Sequence, residues 1–240
     1  MAMRGIGAFI GLVLVLSALP APAAEFVVVA GGAPGLMPGQ VVQSGATLEI
    51  PAGASVTLVS ESGKTLTLKG PHSGPAGTGG AGGGNPGPGL IKALSGLFTV
   101  SGQETASLGT MRGVQPPPPP PDPWVVDIGR SGDHCVPAKG TVRLWRAKKD
   151  KARILSLKNL GDKSKSVTDW PAGSSALAWP AEVTLGNGAR YLLRLKGSRA
   201  RRKFNLHLVP AGLPTDAHRA AWMAKKGCET QAMRLLSRLR

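Results

Sequence analysis

Arg190-Tyr-Leu-Leu-Arg-Leu-Lys196, followed by Lys203-Phe-Asn-Leu-His-Leu-Val209, is the stretch on which the fold turns. In the first segment Tyr191, Leu193 and Leu195 alternate with Leu192, Arg194 and Lys196. In the second, Phe204, Leu206 and Leu208 alternate with Asn205 and His207. A period of two puts one set on a packed face and the other toward solvent, the pattern of half-buried strands. Ahead of them, Gly186-Asn187-Gly188 reads as a hairpin turn, because asparagine and glycine accept a positive φ. Working outward, further strands are expected over residues 124–128, 141–145, 152–159, 166–169 and 182–185. Seven short strands with regular turns predict a β-sandwich or partly closed barrel. Two helices should close it. Thr215 is a suitable N-cap and Gly227 a suitable stop between them. Ala217, Ala221 and Trp222 share one side of the first helix, and Ala232, Leu235, Leu236 and Leu239 one side of the second. This domain occupies residues 124–240.

Upstream, residues 25–72 read as a smaller β module. Phe26-Val-Val-Val29 is an apolar run, and strands are expected at Val41-Val42, Thr47–Ile50, Ser55–Val59 and Thr65–Leu68. Gly31-Gly32, Pro34-Gly35, Pro38-Gly39, Pro51-Ala-Gly53 and Glu61-Ser-Gly63-Lys64 mark turns. Gly39-Gln-Val-Val42, Leu48-Glu-Ile-Pro-Ala-Gly-Ala-Ser-Val-Thr-Leu58 and Gly63-Lys-Thr-Leu-Thr-Leu68 together resemble the FecR-type domain family of bacterial envelope proteins. The resemblance implies a small extracytoplasmic β domain, in some members part of a sensing or signalling assembly.

Between the two modules the composition changes. Residues 73–89 are almost entirely glycine, proline and small side chains, which bury no apolar surface and predict a flexible linker. Leu90 to Phe98 are expected to form a short helix, with Leu90, Leu94, Leu97 and Phe98 on one side, the first part of a helix and connecting segment over residues 90–115. Six consecutive prolines (Pro116–Pro121) and Pro123 then predict a stiff polyproline II spacer over residues 116–123; the alternative is a ligand for a proline-binding groove.

At the other end, Met1-Ala-Met-Arg4, an uncharged apolar run from Ile6 to Leu19, Pro20 and Ala21-Pro-Ala23 follow the three-part order of a secretory signal. The run is shorter than the roughly 20 residues a membrane span needs. Residues 1–24 are therefore expected to be removed after Ala23 or Ala24, leaving a periplasmic or secreted chain without a transmembrane span. In that compartment the only two cysteines, Cys135 and Cys228, should form a disulfide. Closing so long a loop contributes about 4 kcal/mol on the chain-entropy model.

Charge is unevenly placed. Of 29 basic and 13 acidic side chains, 24 basic and 9 acidic lie from residue 122 onward, while residues 25–115 are neutral. Two expected hairpin tips concentrate it: Arg146, Lys148, Lys149, Lys151 and Arg153 on one, Lys196, Arg199, Arg201, Arg202 and Lys203 on the other. Arg234, Arg238 and Arg240 line the last helix. Such a field concentrates polyanions, and guanidinium pairs bidentately with phosphate. Outside the cytoplasm the expected partners are an anionic envelope surface (lipid phosphate, lipopolysaccharide or wall polymer) or an acidic protein. Nucleic acid is disfavoured by the compartment and by the few aromatics among these cations.

Chemistry is harder to find. Gly77-Thr-Gly-Gly-Ala-Gly82 matches the dinucleotide-binding pattern in letters, but the glycine and proline around it supply neither the strand nor the helix the pattern needs. His72, His134, His207 and His218 show no metal-ligand spacing. Asp133-His134-Cys135 suggests an activated thiol only if Cys135 stays reduced, and Cys228 offers it a partner. No catalytic residue, cofactor or metal is expected. The reading is an exported, non-enzymatic envelope protein that docks through its basic domain; the alternatives are a sensory component acting through the FecR-like module, and an enzyme of unrecognised type.

Overall fold

The computed structural model describes residues 25–76, 89–108 and 118–239; the expected leader, residues 77–88 and residues 109–117 lie outside them. Phe26-Val-Val-Val29 is apolar at every position, more than a half-buried strand requires. It forms the centre of β1 (Glu25–Gly31) and is buried on both faces. Phe26 and Val28 join Leu48, Ile50, Val56 and Leu58 in a core of the β module, while Val27 and Val29 join a second core made mostly by helices. After β1 come β2 (Val41–Gln43), β3 (Thr47–Ile50), β4 (Ser55–Ser60), β5 (Thr65–Lys69) and β6 (His72–Pro75). They make an antiparallel sheet of order β2-β1-β4-β5 and a β3-β6 ladder. The module therefore runs past the expected boundary at residue 72. Ser73 to Pro75 pair with β3, and the Ala76 N–H donates to Ala46 O at 2.6 Å. Composition hid this, because a ladder is made by backbone groups and needs no apolar side chain.

The helix α1 (Leu90–Leu108) is longer than its expected end near Phe98. Leu90, Ile91, Leu94 and Leu97 are buried against Val27, Val29 and Val59, each contributing about 2 kcal/mol of apolar burial. Close approach is secured at Gly39: its φ is +92°, a Cβ there would lie 2.7 Å from the Phe98 Cβ, and its carbonyl accepts from Ser95 Oγ at 2.7 Å.

The C-terminal domain is a sandwich. β7 (Val125–Asp127), β8 (Gly132–Pro137), β9 (Arg143–Trp145), β10 (Arg153–Asn159), β11 (Lys165–Trp170), β12 (Ala176–Ala178), β13 (Ala189–Leu195) and β14 (Arg201–Val209) divide into a sheet of order β11-β10-β13-β14-β8 and one of order β12-β9-β7. Their inner faces share Val126, Leu144, Leu155, Leu157, Trp170, Tyr191, Leu193, Phe204 and Leu206. β14 and β8 pair in parallel, as do β7 and β9; the other ladders are antiparallel. The chain is thus mainly β, with α2 (Asp216–Lys225) and α3 (Glu229–Leu236) at its C-terminal end.

Three local expectations need correction. Residues 182–185 are not a strand: the Thr184 carbonyl accepts from the Tyr191 hydroxyl and Asn159 Nδ2, and the Thr184 N–H donates to Ser164 Oγ. Side chains supply the partners a neighbouring strand would have given. Gly186-Asn187-Gly188 joins no hairpin. Its Asn187 Oδ1 accepts from the Leu208 N–H and the Gly188 N–H donates to Leu206 O, so the turn pins the start of β13 onto β14. The segment from Arg146 to Arg153 is also no hairpin tip but a crossover between the two sheets, since β9 and β10 do not pair.

Helices and sandwich are fastened at several points. Thr215 caps α2, its hydroxyl accepting from the His218 N–H. Cys135 on β8 is disulfide-bonded to Cys228 at the α2–α3 elbow, 93 residues later. Beside it, buried Gln231 accepts from the Cys135 N–H at 2.8 Å and donates to the carbonyls of Cys135, Pro123 and Val125. The end of the proline tract is consequently not a free spacer. Pro120 and Pro123 are buried, Arg238 donates to Pro121 O, and Asp122 pairs with Arg143 and Arg238 at 3.3 and 3.4 Å.

Candidate functional site

The alternation of β13 buries Tyr191 and Leu193 and half-buries Leu195, and the strand runs into the β13–β14 turn, where Gly197 has φ +82°. On the facing sheet β9 ends at Trp145, and the crossover carries the chain over the same end of the sandwich. Between these two edges lies a groove of about 820 Å³. Ile128, Trp145, Leu193 and Leu195 give it an apolar floor, and Pro118 to Pro120 form one wall. Its rim is cationic. Arg130 follows β7, Arg146 and Lys148 lie on the crossover, Arg153 begins β10, Arg199 and Arg202 belong to the β13–β14 hairpin, and Arg234 reaches in from α3. Among the described lining residues, Asp127 and Asp150 are the only acids that stand against these seven. Among the described residues none of the seven forms an ion pair.

Arg146 differs from the rest. It is 4% exposed, its guanidinium carbon sits 4.8 Å from the Trp170 ring centroid, Nε donates to Ser174 O at 3.0 Å, and Nη2 donates to Pro171 O at 2.7 Å. These contacts stitch the 171–175 turn to the crossover, and the stacking on Trp170 adds a cation–π attraction. Its Nη1 is buried without a partner among the described residues. Burial, reinforced by nearby Arg153 and partly offset by Asp150, makes the charged form of Arg146 harder to hold than in water. Arg234 is perturbed the same way: burial lowers its pKa, Asp127 opposes the shift, and Arg130 and Arg238 add to it.

Of the ten cations singled out in the sequence, the groove gathers Arg146, Lys148, Arg153, Arg199 and Arg202. Lys196 lies outside the groove, in an adjoining shallow depression that it lines with Ile154, Asp169, Trp170 and the shared Arg153. Lys149, Lys151, Arg201 and Lys203 are exposed outside the groove. The alternation of β14 accounts for the last two: Arg201 and Lys203 point one way and Arg202 the other, and Arg202 lies opposite Leu193. Arg234 was visible on the polar side of the last helix. Arg130 was not singled out; no local pattern marks it, and only the parallel β7–β9 pairing brings it beside the crossover.

Next to the groove, sharing Asp127, Arg130 and Arg234, lies a cleft of about 190 Å³ that also holds Asp133 and His134. Burial works against the Asp133 carboxylate, but hydrogen bonds from His207 Nε2 at 2.7 Å and Asn205 Nδ2 at 3.0 Å hold its pKa below the usual range. His134 donates from Nε2 to Asp127 O at 3.2 Å, its Nδ1 is buried without a hydrogen-bond partner among the described residues, and burial pushes its pKa down. The thiol that Asp133-His134-Cys135 suggested is consumed in the disulfide. Among the described residues no three His, Cys, Asp or Glu side chains are arranged to hold a metal ion, and no helix is long and apolar enough to cross a membrane.

No protein-family model matches the chain, and no curated protein matches it.

Proposed function

We propose that this is an exported, non-enzymatic protein of the cell envelope that docks through its C-terminal domain on an anionic membrane surface. One observation carries the reading: seven cations from five segments of the chain border one groove with no ion pairs among the described residues. Arg146 also has a folding role in holding the 171–175 turn to the crossover, but the other six make no ion pair among the described residues that would account for their being gathered here. Like charges in one place oppose the compact state, and an anion bound among them removes the repulsion. The Cys135–Cys228 disulfide supports an oxidising compartment, and the apolar run over residues 6–19 supports export.

The test is binding of the purified protein to vesicles containing anionic phospholipid at increasing ionic strength. Affinity is expected to fall by about tenfold or more between roughly 50 and 200 mM salt, because counterion release and unscreened attraction drive the contact. Binding that ignores salt, or partitions equally onto neutral vesicles, overturns the proposal.

A further inference from the structure

We infer that the groove recognises a phosphomonoester carried on a membrane lipid, with the phosphate among the rim arginines and the adjoining apolar part of the lipid on the groove floor. This deepens the docking reading and rests on it. Three features select the ligand. Six of the seven rim cations are arginines, whose planar forks match tetrahedral oxyanions better than an ammonium does. A phosphomonoester presents three terminal oxygens and up to two charges, so several guanidinium groups from different segments can engage it at once; a phosphodiester presents two oxygens and one charge. Finally, the floor is hydrocarbon, which a soluble polyanion would leave unused.

Size points the same way. A concave site of about 820 Å³ lies in the range that encloses a small molecule or head group, whereas a protein partner would spread over a broader surface. Burial, and after it the charge of Arg153, disfavours the charged form of Arg146; burial, and after it Arg130 and Arg238, disfavours that of Arg234, and a dianion bound among these groups would offset both.

The experiment compares vesicles of phosphatidylcholine carrying phosphatidate with vesicles carrying phosphatidylglycerol, at matched surface charge. It uses the wild-type protein, a groove variant (R153E with R202E) and a control of equal charge change outside the groove (K139E with K165E). All four positions are exposed or partly exposed, so folding should survive, and circular dichroism checks it. Expected are preferential binding to phosphatidate, a loss of about tenfold or more in the groove variant, and about threefold or less in the control. Inorganic pyrophosphate should compete and raise the wild-type melting temperature, but not that of the groove variant. Equal losses in the two variants overturn the groove while leaving diffuse docking intact. Equal binding to both lipids overturns phosphomonoester recognition. Competition by polyglutamate as strong as by pyrophosphate also overturns it, in favour of an acidic protein. Pyrophosphate binding without any vesicle binding overturns both the lipid and the docking reading.

Discussion

Gln231 does more for the C-terminal domain than its single side chain suggests. Its amide satisfies the Cys135 N–H and the carbonyls of Cys135, Pro123 and Val125, joining α3, the disulfide strand and the end of the proline tract. Removing it strands a buried donor and several acceptors away from water. Q231A should therefore cost about 3 kcal/mol in denaturant unfolding, beyond what loss of a helix-surface glutamine would cost. Gly63 is the second position where one atom decides an outcome. With φ at +76°, it places its backbone against the Thr215 hydroxyl and the His218 ring, which a Cβ would overlap. G63A is expected to lower stability by about 2 kcal/mol through left-handed strain and displacement of the α2 cap. Neither role was legible in the sequence. A glutamine on an amphipathic helix and a glycine in a turn look ordinary until the partners 96 residues away, or in another module, are in place.

At the scale of elements, alternation read the sheets well where a strand is half buried, as in β10, β13 and β14, because the period of two is imposed by the pleat itself. It failed where burial or pairing has another origin. β8 carries a charged residue, a histidine, a cysteine and a proline, yet its outer position beside β14 tolerates them. β12 is three residues long. The basic groove was half legible: the charge clusters are local, but which members face inward depends on strand register and on the crossover between sheets. Elements also set a pH response. His134 on β8 and His218 on α2 both have pKa values pushed below the ordinary 6.5 by burial, the former partly restored by its hydrogen bond to Asp127. A folded-state value below the unfolded one means the unfolded chain takes up protons first as pH falls. Stability should be complete above about pH 6.5 and decline beneath it. Asp133, shifted down from 3.8, stays ionised throughout this window and adds its own loss only at lower pH. The urea midpoint is expected to be lower at about pH 5 than at about pH 7.5, and H218Q should reduce the difference. A midpoint that does not move would show that neither imidazole is held neutral.

At the scale of the whole molecule, a chain expected as two modules and a linker shares a core across them. Val27, Val29 and Val59 of the β module, Leu90, Ile91, Leu94 and Leu97 of α1, Cys135 and Val209 of the sandwich, and Ala217, Ala220, Met223, Leu235 and Leu236 of the last helices form one buried cluster. The β1 run announced this only indirectly: a strand apolar at every position has two faces to cover, and one small module covers one of them. Such a cluster couples the stability of its parts, because unfolding the β module alone would expose the apolar faces of α1, α2 and α3 to water. Calorimetry of the oxidised protein should consequently show a single unfolding transition, with equal calorimetric and van't Hoff enthalpies. G63A should shift that transition as a whole without splitting it, since the strain lies at the joint and the cluster beneath persists. Two transitions in the wild-type protein would mean that the shared cluster is too weak to couple the modules. The basic sandwich would then present its groove independently of the β module that precedes it.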